Sequence, residues 1–191
     1  MIPVTQGKLQ TAIADMAVGD YITAKYTTTA MTAHGTFSDI GTVDTTQISA
    51  FSSSNLTGYL YLIKIAKGIL CPNARLYRGV TYSTMNADNR IYGKKVTIGS
   101  RDFLIRVPRL SEYLKMNGTL DGKIAIADVN TNFGVNTAAT EYEVIQENNN
   151  LGQMVFLFNT SGGASSANAT ACYARCILEY VDDPKCTDLY H

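Results

Sequence analysis

The segment GYLYLIKIAKGIL, Gly58 to Leu70, constrains the fold more than any other part of the chain. It is dense in aromatic and β-branched residues, which suit a pleated surface better than a helix. Its length predicts two strands or one long one, and a strand of either kind needs partners. Several are in sight. Tyr21 to Thr29 follows a Gly19–Asp20 turn signal, and Leu76 to Tyr82 is a second candidate. Lys95 to Ile98 and Phe103 to Val107 flank Gly99–Ser100, a hairpin signal, and Met154 to Phe158 is an apolar strand. Helical signals are fewer. Gly7 to Met16 fits a short helix or turn, and Ser83 to Gly93 a short helix behind a Ser or Thr cap. Leu110 to Met116 fits one or two helical turns. Ala139 to Asn149 is the strongest helix candidate, with Tyr142 and Ile145 on an apolar stripe and Glu141, Glu143 and Glu147 outside it. The expected class is α+β: one β-rich domain over residues 1–183 with few short helices and long loops, followed by a polar tail, 184–191.

Composition narrows the partners. Only 17% of residues are charged, and 16 basic side chains balance 16 acidic ones. In place of charge stand 22 Thr and 13 Asn, residues of sheet faces and turns. Without a cluster of Lys and Arg, nucleic acid is not the expected partner. Low charge does suit a surface that meets neighbouring proteins, because interface cores are poor in charged residues. No apolar run reaches the roughly 18 residues that span a bilayer. The opening MIPVTQGKLQTAIADM has neither the basic nor the apolar region of a signal peptide, so synthesis and folding in a cytoplasm are expected.

Candidate chemistry is sparse. His34 lies in a Gly- and Thr-rich loop with no acidic residue at useful spacing, and His191 is the last residue, so a surface or turn role is expected for His34. The four cysteines, Cys71, Cys172, Cys176 and Cys186, lack the second pair or the histidines that a metal site needs, and are expected to be free, buried thiols. Asp128 to Gly134 (DVNTNFG) echoes a calcium loop but places Phe133 and Ala139 where Gly and Glu are required, so a plain loop is expected. Asn55, Asn117, Asn159 and Asn168 head glycosylation-type triplets, which a chain rich in Thr and Asn makes by chance. No catalytic, cofactor-binding or metal-ligating residue is assigned, no cofactor is expected, and the chain is read as not an enzyme.

ACYARCILEYVDD, Ala171 to Asp183, raises a CxxxC question. Cys172, Ala174, Cys176, Leu178 and Tyr180 alternate with Tyr173, Arg175, Ile177, Glu179 and Val181. The first set is apolar, and the second carries both charges. A two-residue period predicts one strand with one buried face, on which residues four apart stand about 13 Å from each other. That is too far for one metal ion or a disulfide.

The order of several segments resembles a family of virion structural proteins of tailed phages and prophages of Gram-positive bacteria. The resemblance is carried by MAVGDYITAKYT (Met16 to Thr27), GTFSDIGT (Gly35 to Thr42), Gly58 to Ala87, FLIRVP (Phe103 to Pro108), ATEYEVIQENN (Ala139 to Asn149) and RCILEYV (Arg175 to Val181). It runs over nearly the whole chain in order. The helix candidate and closing strand also resemble C-type-lectin-like domains, which implies a compact α+β domain with long loops at one end. The family carries Trp where this chain has Tyr82 and Tyr142, and its aromatic loop before the closing strand is replaced by TSGGASSANAT. The resemblance implies a non-enzymatic virion protein, made in the bacterial host cytoplasm and assembled in many copies at a tail or baseplate. Its partners would be itself and other virion proteins, with no membrane insertion. Tyr142, Ile145, Ile177, Leu178 and Tyr180 would stabilise the domain. Two alternatives are a tail adhesin binding a host receptor or glycan through Val43 to Leu56 and Asp128 to Thr137, and a capsid decoration protein.

Overall fold

The structure, a computed structural model, describes residues 5, 7–30, 32–42, 57–73, 75–109, 111–112, 142–144, 146, 157–158 and 172–180. Among these the fold is β-rich, with twelve strands, one short α-helix and helical backbone at Ser111–Glu112, within the segment expected to form a helical turn. The strands are β1 (Leu9–Gln10), β2 (Tyr21–Thr27), β3 (Thr36–Ser38), β4 (Thr57–Ala66), β5 (Ile69–Pro72) and β6 (Tyr77–Val80). After helix α1 (Tyr82–Ala87) come β7 (Lys94–Ile98), β8 (Arg101–Arg106), β9 (Tyr142–Val144), β10 (Leu157–Phe158), β11 (Cys172–Ala174) and β12 (Ile177–Glu179).

The larger sheet runs β1-β2-β4-β5-β12-β8-β7, with β3 paired to β2. Gly58 to Leu70 resolves into β4 and β5, joined at Lys67–Gly68. The late strand β12 is inserted between β5 and β8, antiparallel to both, so Leu178 closes the middle of the sheet between Leu70 and Ile105, both far from it in sequence. One face of the sheet carries Ile22, Ala24, Tyr26, Leu60, Leu62, Leu70, Phe103, Ile105 and Leu178, which build the core together with Tyr77 and Val80 of β6 and Met85 of α1. Strands β3 and β7, at opposite ends of the sheet, line one shared cavity, so the sheet is curled on itself and open along the β3/β7 seam.

The opposite face is also buried in its centre. Ile63, Ile69, Cys71 and Ile177 lie there, outside the main core and no more than 7% exposed. They share that face with Arg106, which pairs with Ile177 across the β8–β12 register. Its guanidinium donates to both Glu112 oxygens (2.8 and 2.6 Å) and to Glu179 Oε2 (2.5 Å).

The smaller sheet runs β10-β9-β11-β6. It overturns the helix expected over Ala139 to Asn149, because Tyr142–Val144 is strand β9. Tyr-Glu-Val satisfies a two-residue period as well as a helical stripe, and β9 has a ladder on each side: β10 antiparallel and β11 parallel. Those long-range bonds decide between two locally acceptable states. The single strand expected over Ala171 to Asp183 is likewise two strands. β11 belongs to the small sheet and β12 to the large one, with the crossing at Arg175–Cys176. Both faces are therefore covered at the crossing: Ala174, Arg175, Cys176, Ile177 and Leu178 are all buried. The Gly- and Thr-rich loop that holds His34 runs into strand β3, and Gly7 to Met16 holds β1 and a 3-10 turn, Ile13–Asp15.

That N-terminal turn is held by Asp20. Its carboxylate accepts from Lys8 N (2.9 Å), Ala17 N (2.9 Å) and Gln10 Nε2 (2.7 Å). The buried Lys64 Nζ donates to Met16 O at 2.8 Å from the adjoining strand. Burial raises the Asp20 pKa, but these hydrogen bonds and Lys8 outweigh it and hold the carboxyl below its ordinary value. Asp20→Asn is expected to cost about 1.5–3 kcal/mol at neutral pH, as for hydrogen bonds to a charged group. A lowered folded pKa adds stability above the unfolded value of about 3.9 and loses it as acid protonates the folded form. The wild-type advantage in urea titrations is therefore expected to be full at pH 6 and to shrink below about pH 4.

Candidate functional site

Among the described residues, the richest group of polar side chains sits where α1, β6 and the loop before β3 meet. Thr81 opens α1 by accepting from Thr84 N at 3.1 Å, the expected Ser/Thr cap. Asn89, at φ +57°, ends it and turns the chain inward, with Arg90 N bonded to Met85 O at 2.9 Å. Arg90 is thereby carried into the core, 4% exposed. Its guanidinium donates to Asp88 Oδ2 (2.6 Å), the Tyr77 hydroxyl (2.8 Å) and Gly35 O (3.2 Å). Lys94 Nζ, more exposed, donates to the other Asp88 oxygen at 2.5 Å. Tyr26 and Tyr77 are hydrogen-bonded to each other, and Tyr26 Oη accepts from Gly35 N at 3.1 Å.

His34 stands at the edge of this group. Its Nε2 lies 3.2 Å from Thr84 O, and its ring meets Tyr77 edge-on at 5.7 Å between centroids. Asp88, which its sequence neighbourhood does not reveal, comes within 3.8 Å of Nδ1. The acidic partner that the loop sequence lacks is thus supplied by the fold. A carbonyl partner makes Nε2 the donor and leaves Nδ1 unprotonated; this buried atom makes no hydrogen bond among the described residues. Burial and the nearby Arg90 lower the His34 pKa, against the opposite pull of Asp88. With the folded pKa below the unfolded value of about 6.5, the unfolded chain takes up the proton first, so stability falls as pH drops through that value. Denaturation midpoints measured from pH 7.5 to 5 are expected to show this fall in the wild type and a flatter profile in His34→Gln.

The group is not arranged for nucleophilic chemistry. Cys176 is fully buried, and burial pushes its thiol up to about 11, which suppresses the thiolate. Burial also raises Tyr77 and pushes Tyr26 up to about 12, so both stay protonated at neutral pH. Asp88 is held below its ordinary value: burial raises it, but the bonds from Lys94 and Arg90 prevail. The charges therefore brace one another across α1, β6 and β7.

Beside Arg90 and Lys94 opens the seam cavity, about 330 Å³, walled by Phe37, Val96, Ile98 and Ile105. Arg90 and Lys94 carry no signal in the local sequence; only the αL turn at Asn89 and the edge position of β7 put them together. Cys71 and Cys176 are buried free thiols, as the sequence suggests. No cluster of three or more potential metal ligands occurs among the described residues. Ile177, Leu178 and Tyr180 are buried, and Tyr180 meets Phe103 edge-on at 5.9 Å. The Tyr142, Cys172 and Tyr173 side chains, Ile145, Cys186, His191, the loops 43–56 and 128–137, the four glycosylation-type Asn residues and the tail lie outside the described residues. Comparison with protein-family models, curated proteins and solved structures finds no match to this chain.

Proposed function

We propose that the chain is a non-enzymatic structural protein of a phage particle, present in many copies at a tail or baseplate, with an α+β, C-type-lectin-like arrangement. The observation that carries this reading is the use of the buried charges. Arg90, Arg106, Lys64, Asp20 and Glu112 each bond to backbone or to an opposite charge within the domain. Three of these residues tie together segments far apart in sequence, Lys64 to Met16, Arg90 to Gly35 and Arg106 to Glu179, and such bracing suits a domain that must bear load within an assembly. The ordered segment resemblance and the low overall charge support the same reading, since packed copies meet through surfaces poor in charge. Size-exclusion chromatography with light scattering tests it. A discrete ring or polymer is expected, and a strict monomer at every concentration, alone and with particle extracts of the host phage, would sink it.

One observation favours the adhesin alternative. Tyr92 is 59% exposed and hydrogen-bonded to the half-buried Tyr82 at the start of α1, which leaves one aromatic ring on the surface there. Aromatic side chains of this kind anchor recognition surfaces. Binding to host cell walls that is lost in Tyr92→Ala would move the assignment to this alternative.

A further inference from the structure

We propose that the seam cavity between β3 and β7 is a binding site for a small organic monoanion, a carboxylate with an apolar body. The inference does not depend on the virion reading. Its first ground is charge. Arg90 and Lys94 both line the cavity, and among the described residues both pair with a single carboxylate, Asp88. His34, whose Nδ1 stands 3.8 Å from Asp88, has its pKa lowered by burial and by Arg90 and adds no charge at pH 7. Among the described residues, two cations and one anion leave one positive charge beside apolar walls. Lys94 keeps that charge in partial contact with solvent, so a monoanion at the mouth pairs with it without displacing Asp88.

The second ground is shape and lining. The body of the cavity is Phe37 from one end of the sheet and Val96, Ile98 and Ile105 from the other. Water gains little from such walls, and an apolar group gains much. A volume of about 330 Å³ is at the small end of ligand pockets, which run from about 300 to 1,000 Å³. The third ground is the donor supply. The Lys94 ammonium has three N–H groups, of which the Asp88 bond uses one, and its side chain is 42% exposed, so it reaches a ligand at the mouth as well as its partner. Arg90 is fixed by Asp88, Tyr77 and Gly35 and holds the inner charge in place. The head group lies against Lys94 and Arg90, and the apolar body against Phe37 and Ile98.

The test is a titration of the full chain with benzoate and hexanoate at constant ionic strength, read by melting temperature and by amide NMR shifts. Benzyl alcohol serves as the neutral analogue and acetate as the head group without a body. The expected result is a saturable rise in melting temperature with benzoate or hexanoate, with shifts at Lys94, Val96 and Ile98. Benzyl alcohol and acetate are expected to bind at least about tenfold more weakly, the loss expected for a missing charged hydrogen bond or a missing apolar body. Lys94→Met is expected to weaken benzoate by about tenfold, and Ile98→Trp, which fills the cavity, to abolish the response. Should Ile98→Trp fail to fold, Lys94→Met, altered at a half-exposed side chain, decides alone. Equal saturation by benzyl alcohol and benzoate, no saturable response to either carboxylate, or a response unchanged in Lys94→Met would each overturn the proposal.

Discussion

Arg106→Met is expected to cost about 3–5 kcal/mol, the usual consequence of removing one partner from a buried ion cluster. Arg106 is 1% exposed and serves two carboxylates, Glu112 and Glu179. Glu179 keeps some contact with solvent and is rehydrated when Arg106 goes. Glu112 is not: its side chain is 9% exposed, and it also accepts from Arg109 N at 2.7 Å. The penalty therefore centres on Glu112. Urea denaturation with linear extrapolation measures it. The double variant Arg106→Met/Glu112→Leu is expected to recover a substantial part of the loss, because it removes the stranded charge along with its partner. A single variant within about 1 kcal/mol of wild type would show that the cluster is solvated, since exposed pairs are worth no more than that.

Gly68→Ala is the second large effect, and its control is built into the chain. Gly68 and Gly99 both sit in hairpin turns with left-handed backbone, φ +64° and +62°. An alanine at either bears the left-handed penalty of about 1–2 kcal/mol. At Gly99 nothing lies within 4 Å of the added methyl group. At Gly68 the methyl would stand 2.4 Å from Tyr180 O, in a turn that itself accepts a 2.8 Å bond from Tyr180 N. Backbone on both sides of that contact cannot rotate away, so overpacking adds about 1–3 kcal/mol. Gly99→Ala should therefore lose only the backbone penalty of about 1–2 kcal/mol, while Gly68→Ala, at about 2–5 kcal/mol in total, should melt further below wild type. Equal losses would mean that the β4–β5 turn moves away from the end of β12.

The contrast also shows what neighbouring residues in sequence carry. Gly58 to Leu70, Lys95 to Ile98 and Phe103 to Val107 form strands within a residue or two of the expected bounds. Their period, their β-branched content and their turn residues are local properties, and the folded chain uses them as they stand. The cap at Thr81 is local in the same sense. Tyr142–Val144 differs because three residues of alternating type fit helix and strand alike, and only β10 and β11 decide between them. Ala174 to Leu178 differs for another reason. Alternation there suggested one solvated face, yet the chain changes sheets at Arg175–Cys176 and passes between layers, so both faces are covered.

By itself, then, the sequence determined a β-rich chain: the long strands around Gly58 to Leu70 and Lys95 to Val107, the hairpin turn between the latter pair, and that Cys71 and Cys176 pack as thiols. Those follow from backbone preference and hydrophobic period over a few residues. Only the tertiary structure decided that His34 and Asp88 are neighbours, that Arg90 and Lys94 share one carboxylate at the end of a seam, and that Arg106 reaches Glu179 from 73 positions away. A buried charge must find its partner somewhere in the domain, but no local pattern says where. Sheet curling and the insertion of β12 set those distances, and they arise only when the whole apolar surface is buried at once.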